Sequence, residues 1–140
     1  KNTGDARKFV FPYGDDSFDK VFLFSVFTHM SVEEITNYLS EIKRVLKPGG
    51  LCLSTFLIYS ENNEERIAKN KDFAFPIKKE GYRLMSDSVK SANICLNDSY
   101  LNKLIRKVGL KRIKTIEGSW KQNVSSETDN LYQDMVVIKA

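Results

Sequence analysis

Residues 18–58 read FDKVFLFSVFTHMSVEEITNYLSEIKRVLKPGGLCLSTFLI, running from Phe18 to Ile58. The opening run, Phe18 to Val26, is apolar and aromatic apart from Asp19, Lys20 and Ser25. Such a run reads as a strand buried on both faces, the pattern that a helix-covered parallel sheet produces. Ser31 followed by Glu34 is a capping box, in which the hydroxyl takes an orphan amide and the carboxylate reaches back. Met30 before the cap and Ile35 inside it are placed as a hydrophobic staple. Ile35, Leu39, Ile42, Val45 and Leu46 then keep helical spacing on one face, and Lys43, Arg44 and Lys47 suit the negative end of the helix dipole. Pro48-Gly49-Gly50 stops the helix, and Leu51 to Ile58 reads as a second strand. Strand, capped helix, glycine turn and strand make a right-handed βαβ unit with parallel strands.

Outward from this unit the pattern is less even. Residues 1–18 are polar, with turn chemistry at Pro12 and at Gly14-Asp15-Asp16. The two adjacent aspartates read as turn residues, not as a metal or acid–base pair. Residues 60–96 are the least regular stretch, with a short helix expected at Glu64 to Asn70 and scattered aromatics after it. A helix is expected over Asp98–Val108, with Leu101, Leu104, Ile105 and Val108 inward and Gly109 as its stop. Leu110–Glu117 reads as a strand without clean alternation. A polar loop runs from Gly118 to about Asn130. Gln133–Lys139 reads as a last, central strand around Met135-Val136-Val137-Ile138.

Composition narrows the classes. The 140 residues fit one domain, and 41% apolar content is globular, not disordered. The net charge of +4, from 22 basic and 18 acidic residues, is spread along the chain. No Lys/Arg run reads as a nucleic-acid arm, so no nucleic-acid partner is expected. Cys52 and Cys95 stand far apart beside a single histidine, which excludes a zinc site needing about four clustered ligands; no metal is expected. Nothing suggests a disulfide framework, so a reducing, cytoplasmic setting is the expectation. No apolar stretch approaches the roughly 20 residues of a membrane helix. The chain opens Lys-Asn-Thr-Gly-Asp, with neither Met nor signal-peptide character, and is expected to start within a domain.

The stretch DARKFVFPYGDDSFDKVFLFSVFTHM, followed by YLSEIKRVLKPGGLCLSTF, closely resembles the second half of class I, Rossmann-like S-adenosylmethionine-dependent methyltransferases, the broad group called methyltransferase type 11. Asp5-Ala6, Phe11-Pro12, Asp16-Ser17-Phe18-Asp19 and Arg44 to Gly50 match that pattern in order and spacing, and the tail fits it as well. The resemblance implies an α/β fold: a partial methyltransferase sheet of strands 4-5-7-6, with strand 7 antiparallel and helices flanking it. Asp19–Ser25 would be strand 4, Leu51–Ile58 strand 5, Leu110–Glu117 strand 6 and Gln133–Lys139 strand 7. Strands 1 and 2, with the glycine-rich turn that approaches the methionine end of the cofactor, have no counterpart, and no G-x-G-x-x-G occurs. The whole of 1–140 would then be the C-terminal part of one methyltransferase domain, with an acceptor-cover segment at about 60–96.

The same resemblance implies roles. Asp5 and Ala6 match the adenine-binding turn of the S-adenosylmethionine cofactor, and Ser25, Val26 and Phe27 would shape the cofactor pocket at the carboxyl end of strand 4, where ligands sit in open α/β sheets. His29 has two readings: a general base, since an imidazole titrating near neutrality suits proton removal, or an orienting residue that packs in the turn. Tyr59, Phe75, Tyr82 and Trp120, with Phe73, fall in segments that form the acceptor cover and would suit a small organic acceptor; ordinary core filling is the alternative for each. Methyl transfer needs mainly in-line positioning and exclusion of water, so the lack of an obligatory dyad does not speak against an enzyme. The function implied is methyl transfer to a small molecule by a longer parent, with this segment inactive alone; the alternative is a non-catalytic Rossmann-like interaction or regulatory module. Strand 4 without strand 1 leaves an apolar edge, and self-association through it is expected.

Overall fold

The computed structural model describes residues 4–121 and 131–140. Its elements in chain order are β1 (Phe18–Leu23), α1 (Val32–Val45), β2 (Leu46–Phe56), β3 (Ile58–Tyr59), α2 (Glu64–Lys69), β4 (Ile77–Lys78), β5 (Tyr82–Leu84), β6 (Ile94–Asn97), α3 (Asp98–Lys107), β7 (Lys111–Ile116) and β8 (Asp134–Lys139). The larger sheet has the order β1-β2-β8-β7. β1 runs parallel to β2, and β8 lies antiparallel to both β2 and β7. This is the 4-5-7-6 order with an antiparallel strand 7, and β8 is central as its apolar run requires.

The capping box forms as its spacing dictates: Glu34 N–H donates to Ser31 Oγ at 3.3 Å, and Ser31 N–H donates to Glu34 Oε2 at 2.8 Å. Ile35, Leu39, Ile42 and Val45 are buried at 0–1% exposure, each removal from water being worth about 1.5–3 kcal/mol. Ile35, Leu39 and Ile42 share one core with Leu101, Leu104 and Ile105 of α3 and with Cys52, Val136 and Ile138 of the sheet. Burial pushes the Cys52 thiol up to about 12, as befits an inert core cysteine. Gly50 lies where the chain leaves α1: a Cβ there would stand 2.9 Å from the Lys47 carbonyl oxygen and 3.1 Å from that of Asp19. Only glycine lets β2 come this close to β1. β7 is irregular between Arg112 and Lys114, which accounts for its broken alternation.

Three expectations are corrected. The β1 run is not buried on both faces: Phe22 is 56% and Phe24 53% exposed, because both long helices pack into the core on the opposite face, with Val21 and Leu23. β2 starts at Leu46 and ends at Phe56, short of Ile58, because Ile58 belongs to a second sheet. That sheet has the order β3-β6-β5-β4 and is built from the irregular stretch. Its strands are two to four residues long, too short for a period to show. It closes over a separate core of Leu57, Tyr59, Ile67, Phe75, Cys95 and Trp120. Arg83 of β5, 9% exposed, donates to Glu64 of α2 at 3.3 Å and so ties that helix to the small sheet. Most of the polar loop after Gly118 lies outside the described residues.

Candidate functional site

The Asp5 turn is held from two sides. Lys8 N–H donates to the Asp5 carbonyl at 2.9 Å, and the Asp5 carboxylate is forked by Arg7, Nε to Oδ1 at 2.9 Å and Nη2 to Oδ2 at 2.8 Å. That guanidinium lowers the Asp5 carboxyl to about 2, so it is ionised throughout the neutral range. From α1, Asn37 Nδ2 donates to the carbonyls of Ala6 and Phe9, both at 2.9 Å. The next turn is gripped by Arg44, which donates to the carbonyls of Tyr13 and Phe11, to Asp15 Oδ1 at 2.9 Å and to Glu41 Oε2 at 2.7 Å. Glu41 Oε2 in turn accepts from Phe11 N–H at 2.7 Å. The Arg44 guanidinium holds the Glu41 carboxyl below its usual range. Asp16 takes a positive φ of 52°, in keeping with the turn reading of Asp15-Asp16.

At the carboxyl end of β1 the chain turns sharply. Ser25 has φ 55°, a left-handed conformation costly for a residue with a Cβ. Its N–H donates to Thr55 Oγ1 at 2.8 Å and its hydroxyl to Gln133 Oε1 at 3.3 Å. Ser25 is exposed and Val26 half-buried, at the carboxyl end of β1. Phe27 differs: it is fully buried and stacked on Phe56, with centroids 4.7 Å apart and planes at 8°. Its ring fills the main core, so no face of it is left for a ligand.

His29 closes the 3-10 turn Phe27–His29 and is exposed. Its Nδ1 lies 2.9 Å from the Ser91 carbonyl oxygen. A carbonyl only accepts, so Nδ1 is the donor in this hydrogen bond. Just past His29 a cavity of about 320 Å3 opens among Met30, Val32, Tyr82, Leu84, Val89 and Ile94. Tyr82 is thus brought beside the segment that carries His29, and it stacks on Tyr100 at 6.4 Å.

The other aromatic candidates are not walls of that cavity. Tyr59, Phe75 and Trp120 are 4%, 0% and 4% exposed; Phe75 and Trp120 meet Phe73 edge-on. Burial pushes the Tyr59 phenol up to about 12. They build the second core together with Leu57, Ile67 and Cys95. Beneath them Asp134, fully buried, accepts from Ile58 N–H at 2.8 Å, Gly118 N–H at 2.9 Å, Trp120 Nε1 at 2.7 Å and Lys121 Nζ at 3.0 Å. Thr55, Gln133, Asn37 and Asp134 were not singled out by the sequence. Only Gln133-Asp134 carried a signal, as polar residues opening an apolar strand.

The strand order β1-β2-β8-β7 with an antiparallel β8 is that of a partial Rossmann-like methyltransferase sheet. Residues 2–54 match the methyltransferase domain family. The chain is similar in structure to a protein from Pyrococcus horikoshii OT3 at 20% identity and TM-score 0.59, covering 97% of this chain and 57% of that one. It is similar to the 1,6-didemethyltoxoflavin-N1-methyltransferase of Burkholderia thailandensis, whose structure holds 1,6-didemethyltoxoflavin and S-adenosylhomocysteine, at 13% identity and TM-score 0.57, covering 96% and 47%. An S-adenosylmethionine-dependent methyltransferase from Methanosarcina mazei gives 18% identity and TM-score 0.57, covering 97% and 64%. The chain therefore spans about half to two thirds of these proteins. At these identities the likeness establishes the fold.

Proposed function

We propose that this chain is the C-terminal part of a longer enzyme that transfers a methyl group from S-adenosylmethionine to an O, N or C atom of a small molecule, and that it is inactive without the rest of that enzyme. The observation that carries the reading is the pairing of two features. The family match covers the Asp5 turn, β1 and α1, and the same segment presents the Arg7-held carboxylate of Asp5 and an exposed, left-handed Ser25.

Asp5 would accept from the exocyclic amine of adenine while the Ala6 backbone serves the ring, and Ser25 and Val26 would flank the cofactor at the strand end. Asp5 must then share its carboxylate between Arg7 and the adenine, or exchange one for the other. S-Adenosylmethionine supplies an activated methyl on a sulfonium; the protein's part is alignment and exclusion of water. The cavity beside His29 is within the size range of small-molecule sites and would take the acceptor, with Tyr82 in its wall and Nε2 of a neutral His29 available to remove a proton. The buried Tyr59, Phe75 and Trp120 would support this cover from within.

Calorimetric titration of the parent protein with S-adenosylhomocysteine tests the reading. Saturable binding weakened by Asp5→Ala supports it; binding unchanged by that substitution removes the role given to Asp5.

A further inference from the structure

We infer that Thr55 and Gln133 are positioning residues for the cofactor, acting through Ser25. The inference rests on the cofactor reading above. Ser25 is one of two non-glycine residues at positive φ among the described residues, and the other, Asp16, lies in an exposed turn. A left-handed serine persists only where its surroundings over-determine it, and here two bonds from distant strands do so. Thr55, at the end of β2 and 6% exposed, takes its N–H at 2.8 Å; Gln133, just before β8, takes its hydroxyl at 3.3 Å.

The three strand ends are thereby knitted at one point, at the edge of the sheet where ligands of open α/β folds sit. Gln133 is itself held in place, because its neighbour Asp134 is fixed by four donors. One side chain of the Gln133-Asp134 pair locks the second core and the other reaches Ser25. Freed from these bonds, Ser25 relaxes to an ordinary conformation and moves the Ser25–Val26 backbone away from where the cofactor is read.

The test compares Thr55→Val, which keeps shape but loses the accepting oxygen, with Thr55→Ser, which keeps the oxygen, in the parent protein. S-Adenosylhomocysteine affinity is followed by calorimetry and folding by thermal unfolding. The expected result is an affinity roughly ten-fold weaker for Thr55→Val, the scale of one lost hydrogen bond, with Thr55→Ser close to wild type. Gln133→Met, at a half-exposed position, should weaken binding by roughly three-fold, also within the range of one hydrogen bond. Gln133→Glu, which keeps an accepting oxygen, should restore it. It carries the test if Thr55→Val does not fold. A lower unfolding temperature with unchanged affinity shows that the network is structural and overturns the inference. Wild-type protein that binds no S-adenosylhomocysteine overturns the cofactor reading itself, and this inference with it.

Discussion

Two aspartates show how much a single residue's surroundings decide. Asp134 has no exposed surface and four donors, so Asp134→Ala leaves three N–H groups without their acceptor and the buried Lys121 with only its longer contact to Glu117 at 3.5 Å. We expect it to lower unfolding free energy in denaturant by about 3–5 kcal/mol, the range for breaking a buried ion pair from one side. Asp5 is exposed and lies in the fork of Arg7. Because folding lowers its pKa from 3.8 to about 2, the pair's contribution is fully present above 3.8 and fades as pH falls through about 2. Carboxyl NMR should find that low midpoint in the wild type and a return toward 3.8 in Arg7→Ala; an unchanged midpoint would mean that Arg7 is not the cause. At this scale the sequence was partly legible. The Asp5-Ala6 turn, Ser25 and His29 stand out in the local pattern, whereas the burial of Phe27 does not, because an aromatic after a strand looks alike whether it faces core or solvent. The bonds that tie Thr55 and Gln133 to Ser25 could not be seen, since they span 30 and 108 positions.

Among the elements, the ones read well are those whose ends carry their own chemistry. α1 begins at a reciprocal capping box and buries one continuous stripe; Ser31→Ala should lower stability by about 0.5–2 kcal/mol, read from the shift of a denaturant midpoint with unchanged slope. An effect below that range would mean that the capping box is not what fixes the helix start. The match between Arg44 and the Phe11–Asp15 segment also becomes physical here, since one guanidinium binds the carbonyls of Phe11 and Tyr13 and the carboxylate of Asp15. Two stretches that look like separate motifs are one clamp. The second sheet escaped reading because β3, β4 and β5 have only two or three residues, and pairing between such strands is set by tertiary contacts that leave no period. Gly81 marks it in hindsight: at φ 82° it sits where a Cβ would meet the Tyr100 ring at 2.4 Å.

For the molecule as a whole, strand order followed from the βαβ unit and the family resemblance, and so did the exposed flank. β1 is an edge strand with Phe22 and Phe24 exposed beside it, and an apolar groove of about 430 Å3 runs along it between Phe9, Phe11, Tyr13 and Val21. Unpaired apolar edges recruit another chain, so this chain expressed by itself should self-associate with rising concentration; light scattering that stays monomeric at high concentration would contradict this. No helix of the described residues is long and apolar enough to cross a membrane. The edge, the Arg7-held carboxylate and the left-handed serine are the features on which the proposed cofactor site rests. Titration of S-adenosylhomocysteine into the parent protein and its Asp5→Ala variant tests that most directly. The account predicts saturable binding that the substitution weakens; a parent protein that binds none would contradict it.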